Sequence, residues 1–102
     1  MRLEHYSEQK LKTQILEAVG KYLALRTYRV FLFGSRINGL GSDRSDIDIG
    51  IDGPESIPGE IKVEIEEALD SLPVLYKFDL VDFKSVTENF RQQALKSVEH
   101  LN

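Results

Sequence analysis

The sequence predicts a small α/β domain, an α+β two-layer arrangement with helices flanking a small mixed sheet. Three observations predict it. Apolar residues recur at helical spacing in three separate segments. β-rich runs, one of them strictly alternating, lie between those segments. The resulting order is helix, strand, glycine turn, strand, helix, strand, helix, which folds as two layers around one core. The 102 residues read as one domain, 1–102, without internal repeat or linker.

Residues 6–25 read as an amphipathic helix. Leu11, Ile15, Leu16, Val19, Tyr22 and Leu23 follow the spacing of one buried face, and Ser7 is placed to cap it. The β-branched and aromatic run Thr27–Phe33 is the first strand. Gly34, Gly39 and Gly41 then mark a turn that lets a ligand approach the main chain. A short helix starting near Ser35 would aim free amides at a phosphate. Gly34 and Gly39 have the spacing of Walker A glycines. Leu40 and Gly41 stand where Lys and Ser/Thr are needed, so a P-loop is excluded.

Asp46–Ile51 is the second strand. Alternation puts Asp46 and Asp48 on one face and Ile47, Ile49 and Ile51 on the other. No register of this acidic stretch fits an EF-hand: counting from Asp46, Ile51 stands where glycine is needed. Gly53-Pro54 breaks the strand. The second helix runs from Pro58 to about Leu72, with Ile61, Ile65, Ala68, Leu69 and Leu72 inward and an acidic face outward. Val74–Phe83 is the third strand, with Asp79 on the face of Val81 and Phe83, and Phe78, Leu80 and Asp82 opposite. Ser85 and Glu88 form a capping-box pattern. The last helix they open carries Phe90, Ala94, Leu95, Val98 and Leu101 as its apolar positions.

Composition narrows the function. The apolar fraction is 41% and the charged fraction 29%, as in ordinary globular proteins. A net charge of −4 argues against nonspecific grip on nucleic acid. Without cysteine there is no disulfide or thiolate chemistry. No run reaches the length of a membrane span, and the opening residues lack a signal peptide's apolar core, so the expected compartment is the cytoplasm.

Two carboxylates on one strand face repel unless a cation sits between them, and hard oxygen ligands suit Mg²⁺. A third carboxylate on a neighbouring strand could reach the same ion. The candidates are Asp79, Asp82 and Asp52. Asp52 lies far along its strand. Asp82 reads as a strand-end surface residue. Asp79 sits in an apolar run, where an unpaired carboxylate is costly to bury. His5 and His100 read as exposed bystanders, the four tyrosines as packing residues, and Lys77 is given no role.

Gly34-Ser35, ten residues, then Asp46-x-Asp48, with Gly39 and Ser45-Asp46-Ile47-Asp48 inside the pattern, resembles the DNA polymerase beta nucleotidyltransferase superfamily. At this length the chain most resembles the minimal nucleotidyltransferases, small proteins encoded beside HEPN-domain partners. The resemblance covers residues 29–83 and selects Asp79 as the third carboxylate. It implies that Asp46, Asp48 and Asp79 are catalytic and hold two Mg²⁺ ions, with Asp79 at the acceptor hydroxyl. It implies that Gly34 and Ser35 hold the triphosphate and that Arg36 contacts phosphate or the acceptor. It implies ATP as donor, a protein hydroxyl as acceptor, and a HEPN-type helical partner that the chain neutralises as an antitoxin. A non-catalytic antitoxin and a small-molecule nucleotidyltransferase are the competing expectations, and homo-oligomers are compatible with all three.

Overall fold

The computed structural model describes residues 7–34, 46–74 and 76–102. Helix α1 spans Glu8–Gly20, and the Ser7 hydroxyl accepts from the Lys10 N–H at its start. Strand β1 is Arg29–Phe33 and β2 is Ile47–Asp52. Helix α2 is Gly59–Asp70, β3 is Phe78–Asp82, α3 is Glu88–Ala94 and β4 is Glu99–His100. The sheet order is β3-β2-β1-β4. β2 and β3 are parallel, joined across α2, and β1 runs antiparallel to β2 and β4. This is the α/β fold, a small mixed sheet flanked by helices, that the sequence predicts.

Side-chain alternation divides the sheet. Val30, Leu32, Ile47, Ile49, Ile51 and Leu80 share one face with Leu11, Ile15 and Val19 of α1 and Ile65 and Leu69 of α2. This is the main core, and truncating Ile65 or Leu69 to Ala costs about 2–5 kcal/mol and loosens α2. The opposite face carries Phe31, Phe33 and Phe83, with Ala94 and Val98 packed against them. Gly50 admits these rings: a Cβ there would overlap the Phe31 ring and lie 2.7 Å from Phe83.

Several element ends differ from expectation. The first helix stops at Gly20, and Tyr22 and Leu23 form a turn whose N–H groups both donate to the Val19 carbonyl. The third strand begins at Phe78, not Val74, whose N–H turns back to the Leu72 carbonyl. Thr87, not Ser85, caps the last helix, its hydroxyl accepting from Phe90 N–H. That helix ends at Ala94, so Val98 and Leu101 are not helical. The free edge of β1 draws the chain into β4 instead, and Leu101 N–H donates to the Val30 carbonyl at 2.8 Å. Asn102 completes this seam, accepting from Val30 N–H and donating to the Leu25 and Tyr28 carbonyls. Backbone groups on an open strand edge outweigh the weak preference of a short helix.

Candidate functional site

The carboxylates gather where β1 ends and β2 and β3 begin. Phe33 stands opposite Asp48 on β1, and Asp79 stands opposite Asp48 on β3. Neighbouring strands lie about 4.8 Å apart, so the Asp48 and Asp79 side chains leave the same face side by side. Asp46 lies two residues before Asp48. Asp46 and Asp79 are exposed, and Asp48 is half-buried, paired in register with Phe33.

The electrostatics follow from this crowding. Burial, then the nearby charges of Asp79 and Asp46, push the Asp48 carboxyl up to about 6. Among the described residues, no group of three His, Asp or Glu side chains already stands in an arrangement to hold a metal ion. Asp48 feels the charges of the other two, and the three do not converge.

Gly34 closes the site on the β1 side. Its φ is 87°, in the left-handed region, and a Cβ there would overlap the Asp48 carboxylate. Ser35 and Arg36, the short helix expected near Ser35, and Gly39 and Gly41 lie outside the described residues, as does His5.

The two candidates on β3 exchange environments relative to expectation. Asp82, expected at the surface, is only 8% exposed. Its carboxylate accepts from Ile57 N–H at 2.8 Å, Lys84 N–H at 2.9 Å and the Ser85 hydroxyl at 3.3 Å. It ties the loop before α2 to the turn after β3. Asp79 is the exposed one, so the cost of burial does not distinguish it. Its position opposite Asp48 does. Asp52 is remote, as expected, and pairs with Arg91, whose guanidinium also donates to the Phe83 carbonyl. His100 is exposed in β4, its ring 5.7 Å from that of Phe31.

Sequence reading missed the floor of the site. The Phe33 ring packs on Phe83 at 5.2 Å and on Phe90 at 6.1 Å, edge-on in both cases. Phe90 is 42% exposed and carries this aromatic layer to the surface. The available signal was Phe33 itself, the last strand residue before the glycine turn.

Residues 8–101 match the family model described as "Polymerase beta, Nucleotidyltransferase". The "Probable protein adenylyltransferase MntA" of Haemophilus influenzae is 31% identical over 65 residues, which are 64% of this chain and 57% of that protein. The chain thus spans little more than half of that curated relative. A toxin–antitoxin crystal structure with AMP-PNP superposes with a TM-score of 0.73 at 24% identity, over 89% of this chain and 72% of that one. A structure of a tri-AMPylated Shewanella oneidensis HEPN toxin in complex with MNT antitoxin gives 0.72 at 22% identity, over 94% and 72%. At these identities the solved structures speak for the fold.

Proposed function

This chain belongs to the polymerase beta nucleotidyltransferase family, and we propose that it transfers AMP from ATP to a hydroxyl of a HEPN-type helical protein, Mg²⁺-dependently, and so neutralises that protein as an antitoxin. The observation that carries the reading is the register that sets Asp79 against Asp48, with Asp46 on the same strand face. Support for donor and acceptor comes from the similar proteins: one is named a protein adenylyltransferase, one structure holds AMP-PNP, and another holds an AMPylated HEPN toxin.

In the reaction, the acceptor oxygen attacks the α-phosphorus and forms a new P–O bond. The bond from that phosphorus to the bridging oxygen breaks, pyrophosphate leaves, and the hydroxyl proton passes to Asp79. Gly34 lets the main chain approach the triphosphate. Ser35 is a proposed phosphate contact, and Arg36 a proposed contact to phosphate or the acceptor. Asp46, Asp48 and Asp79 are a hard-oxygen donor set; burial and then the charges of Asp79 and Asp46 raise Asp48, and a divalent cation would relieve that charge repulsion. Mg²⁺ bound there supplies charge neutralisation and a more acidic acceptor hydroxyl. No helix among the described residues is long and apolar enough to cross a membrane, and the cytoplasm is the proposed compartment.

The test mixes the chain with its HEPN-type partner, labelled ATP and Mg²⁺, followed by intact-mass spectrometry. An AMP-sized gain on the partner, absent with Asp48→Ala, supports the reading. An unmodified but fully inhibited partner assigns the chain to the binding antitoxins, and transfer onto a small molecule to the antibiotic-type enzymes.

A further inference from the structure

We propose that the open edge of β3 is where the acceptor docks, as an extended segment that adds a strand to the sheet. The inference rests on the transferase reading and names how its acceptor arrives. β3 ends the sheet order, and among the described residues no strand pairs with its outer side. The ladder to β2 runs from Ile47 N–H on the Lys77 carbonyl to Phe83 N–H on the Ile51 carbonyl. In a parallel ladder, alternate residues make both bonds to the same neighbour. Lys77, Asp79 and Val81 therefore turn their backbone groups to β2. Phe78, Leu80 and Asp82 turn theirs outward.

Beside this edge lies a groove of about 270 Å³ between β3 and α2. Phe78, Leu80 and Val63 give it an apolar wall, and Val63 is 50% exposed. Glu66, Glu67 and Asp70 give it an acidic rim. Side chains of an added strand alternate between this groove and the opposite face, where Asp79 and Asp48 stand.

The occupant follows from that alternation. The residues opposite Phe78 and Leu80 enter the groove. Arginine or lysine there lays its aliphatic stem along Val63 and its charge among the three carboxylates. The residue between them faces the catalytic side, opposite Asp79, with about 5 Å between Cβ atoms. A hydroxyl residue at that position is delivered to the carboxylate proposed to take its proton. The expected segment is basic, hydroxyl, basic, in extended form. A second copy of this chain is disfavoured, because two acidic rims would meet.

The probe is a blocked heptapeptide, Thr-Val-Arg-Tyr-Arg-Val-Thr, added to the whole chain without nucleotide. The expected result is slowed hydrogen exchange at the Phe78 and Leu80 amides. N-methylation of both arginines removes the donors that face β3 in antiparallel pairing, and should weaken binding at least tenfold. Glutamates in place of the arginines, or Val63→Arg in the protein, should do the same. Mg²⁺–ATP binding, measured separately by calorimetry, should be unchanged in Val63→Arg. Absent protection at millimolar peptide, or equal binding of the N-methylated form, overturns the docking site. The two readings fail separately: edge protection without ATP binding would fault the transferase, and ATP binding without edge protection would fault the docking site.

Discussion

Gly34 and Asp48 share one space: the Asp48 carboxylate occupies the volume that a side chain on residue 34 would need. Gly34 also has a φ of 87°, which L side chains adopt at a cost of about 1–2 kcal/mol. Gly34→Ala should therefore act twice. It should lower stability by about that amount, and it should push Asp48 out of line with Asp79. Gly34→Val should be worse on both counts. Thermal melts measure the first effect, and ATP titration by calorimetry with Mg²⁺ the second. Normal nucleotide binding by Gly34→Val would remove this turn from the site.

The Asp48 carboxyl, pushed up to about 6 by burial, Asp79 and Asp46, sets the sign of a pH effect. In the unfolded chain it titrates near 3.9. Below that value both states are protonated and the group favours neither. Between about 4 and 6 the unfolded state loses its proton first, so stability falls as pH rises. Above 6 the penalty is complete. Without metal, Asp48→Asn should thus melt higher than wild type at pH 7–8 and equally at pH 3.5. A lower melting temperature for Asp48→Asn at pH 8 contradicts the electrostatic account.

That prediction relies on a face assignment already legible in the sequence. The alternation Asp46, Ile47, Asp48, Ile49 needed only the two-residue period of a strand with one buried side. The limit of that reading shows in Asp79 and Asp82. Alternation put them on opposite faces correctly, but it could not tell which would be covered. α3 sets Phe90 against Phe33 and Phe83 yet leaves Asp79 open, and the backbone at Ile57 closes over Asp82. The end of the chain was illegible for a similar reason. Ala94 to Leu101 has helical spacing, but an unpaired edge 70 residues away, at Val30 and Phe31, claims it. Ser35 and Arg36 stand where sequence reasoning left them.

Mg²⁺ with ATP should stabilise the wild type, because a ligand selective for the native state raises stability by mass action. At about a hundred times the dissociation constant this amounts to about 2.7 kcal/mol. For a domain of this size each kcal/mol moves the midpoint by about 4–8 °C. Asp46→Asn/Asp48→Asn should start from a higher metal-free midpoint than wild type at pH 8 and gain little from the ligands. An equal gain in wild type and variant would locate nucleotide binding elsewhere.

The two β3 aspartates should separate chemistry from architecture. Asp82→Ala leaves the buried Ile57 N–H without its acceptor and frees Lys84 N–H and the Ser85 hydroxyl. The first loss alone costs about 1–3 kcal/mol, so the midpoint should fall by several degrees. Below that midpoint AMP transfer should persist, because Asp82 lies on the face turned away from Asp48. Asp79 makes the opposite case. It is exposed, and surface substitutions stay within about 0.5 kcal/mol. Asp79→Asn should therefore melt no lower than wild type yet lose transfer by about 10²-fold or more, the contribution typical of a proton acceptor at a reacting group. Melting curves and single-turnover transfer on both variants decide the matter. Full activity in Asp79→Asn, with loss in a folded Asp82→Ala, would move the third carboxylate of the site from Asp79 to Asp82.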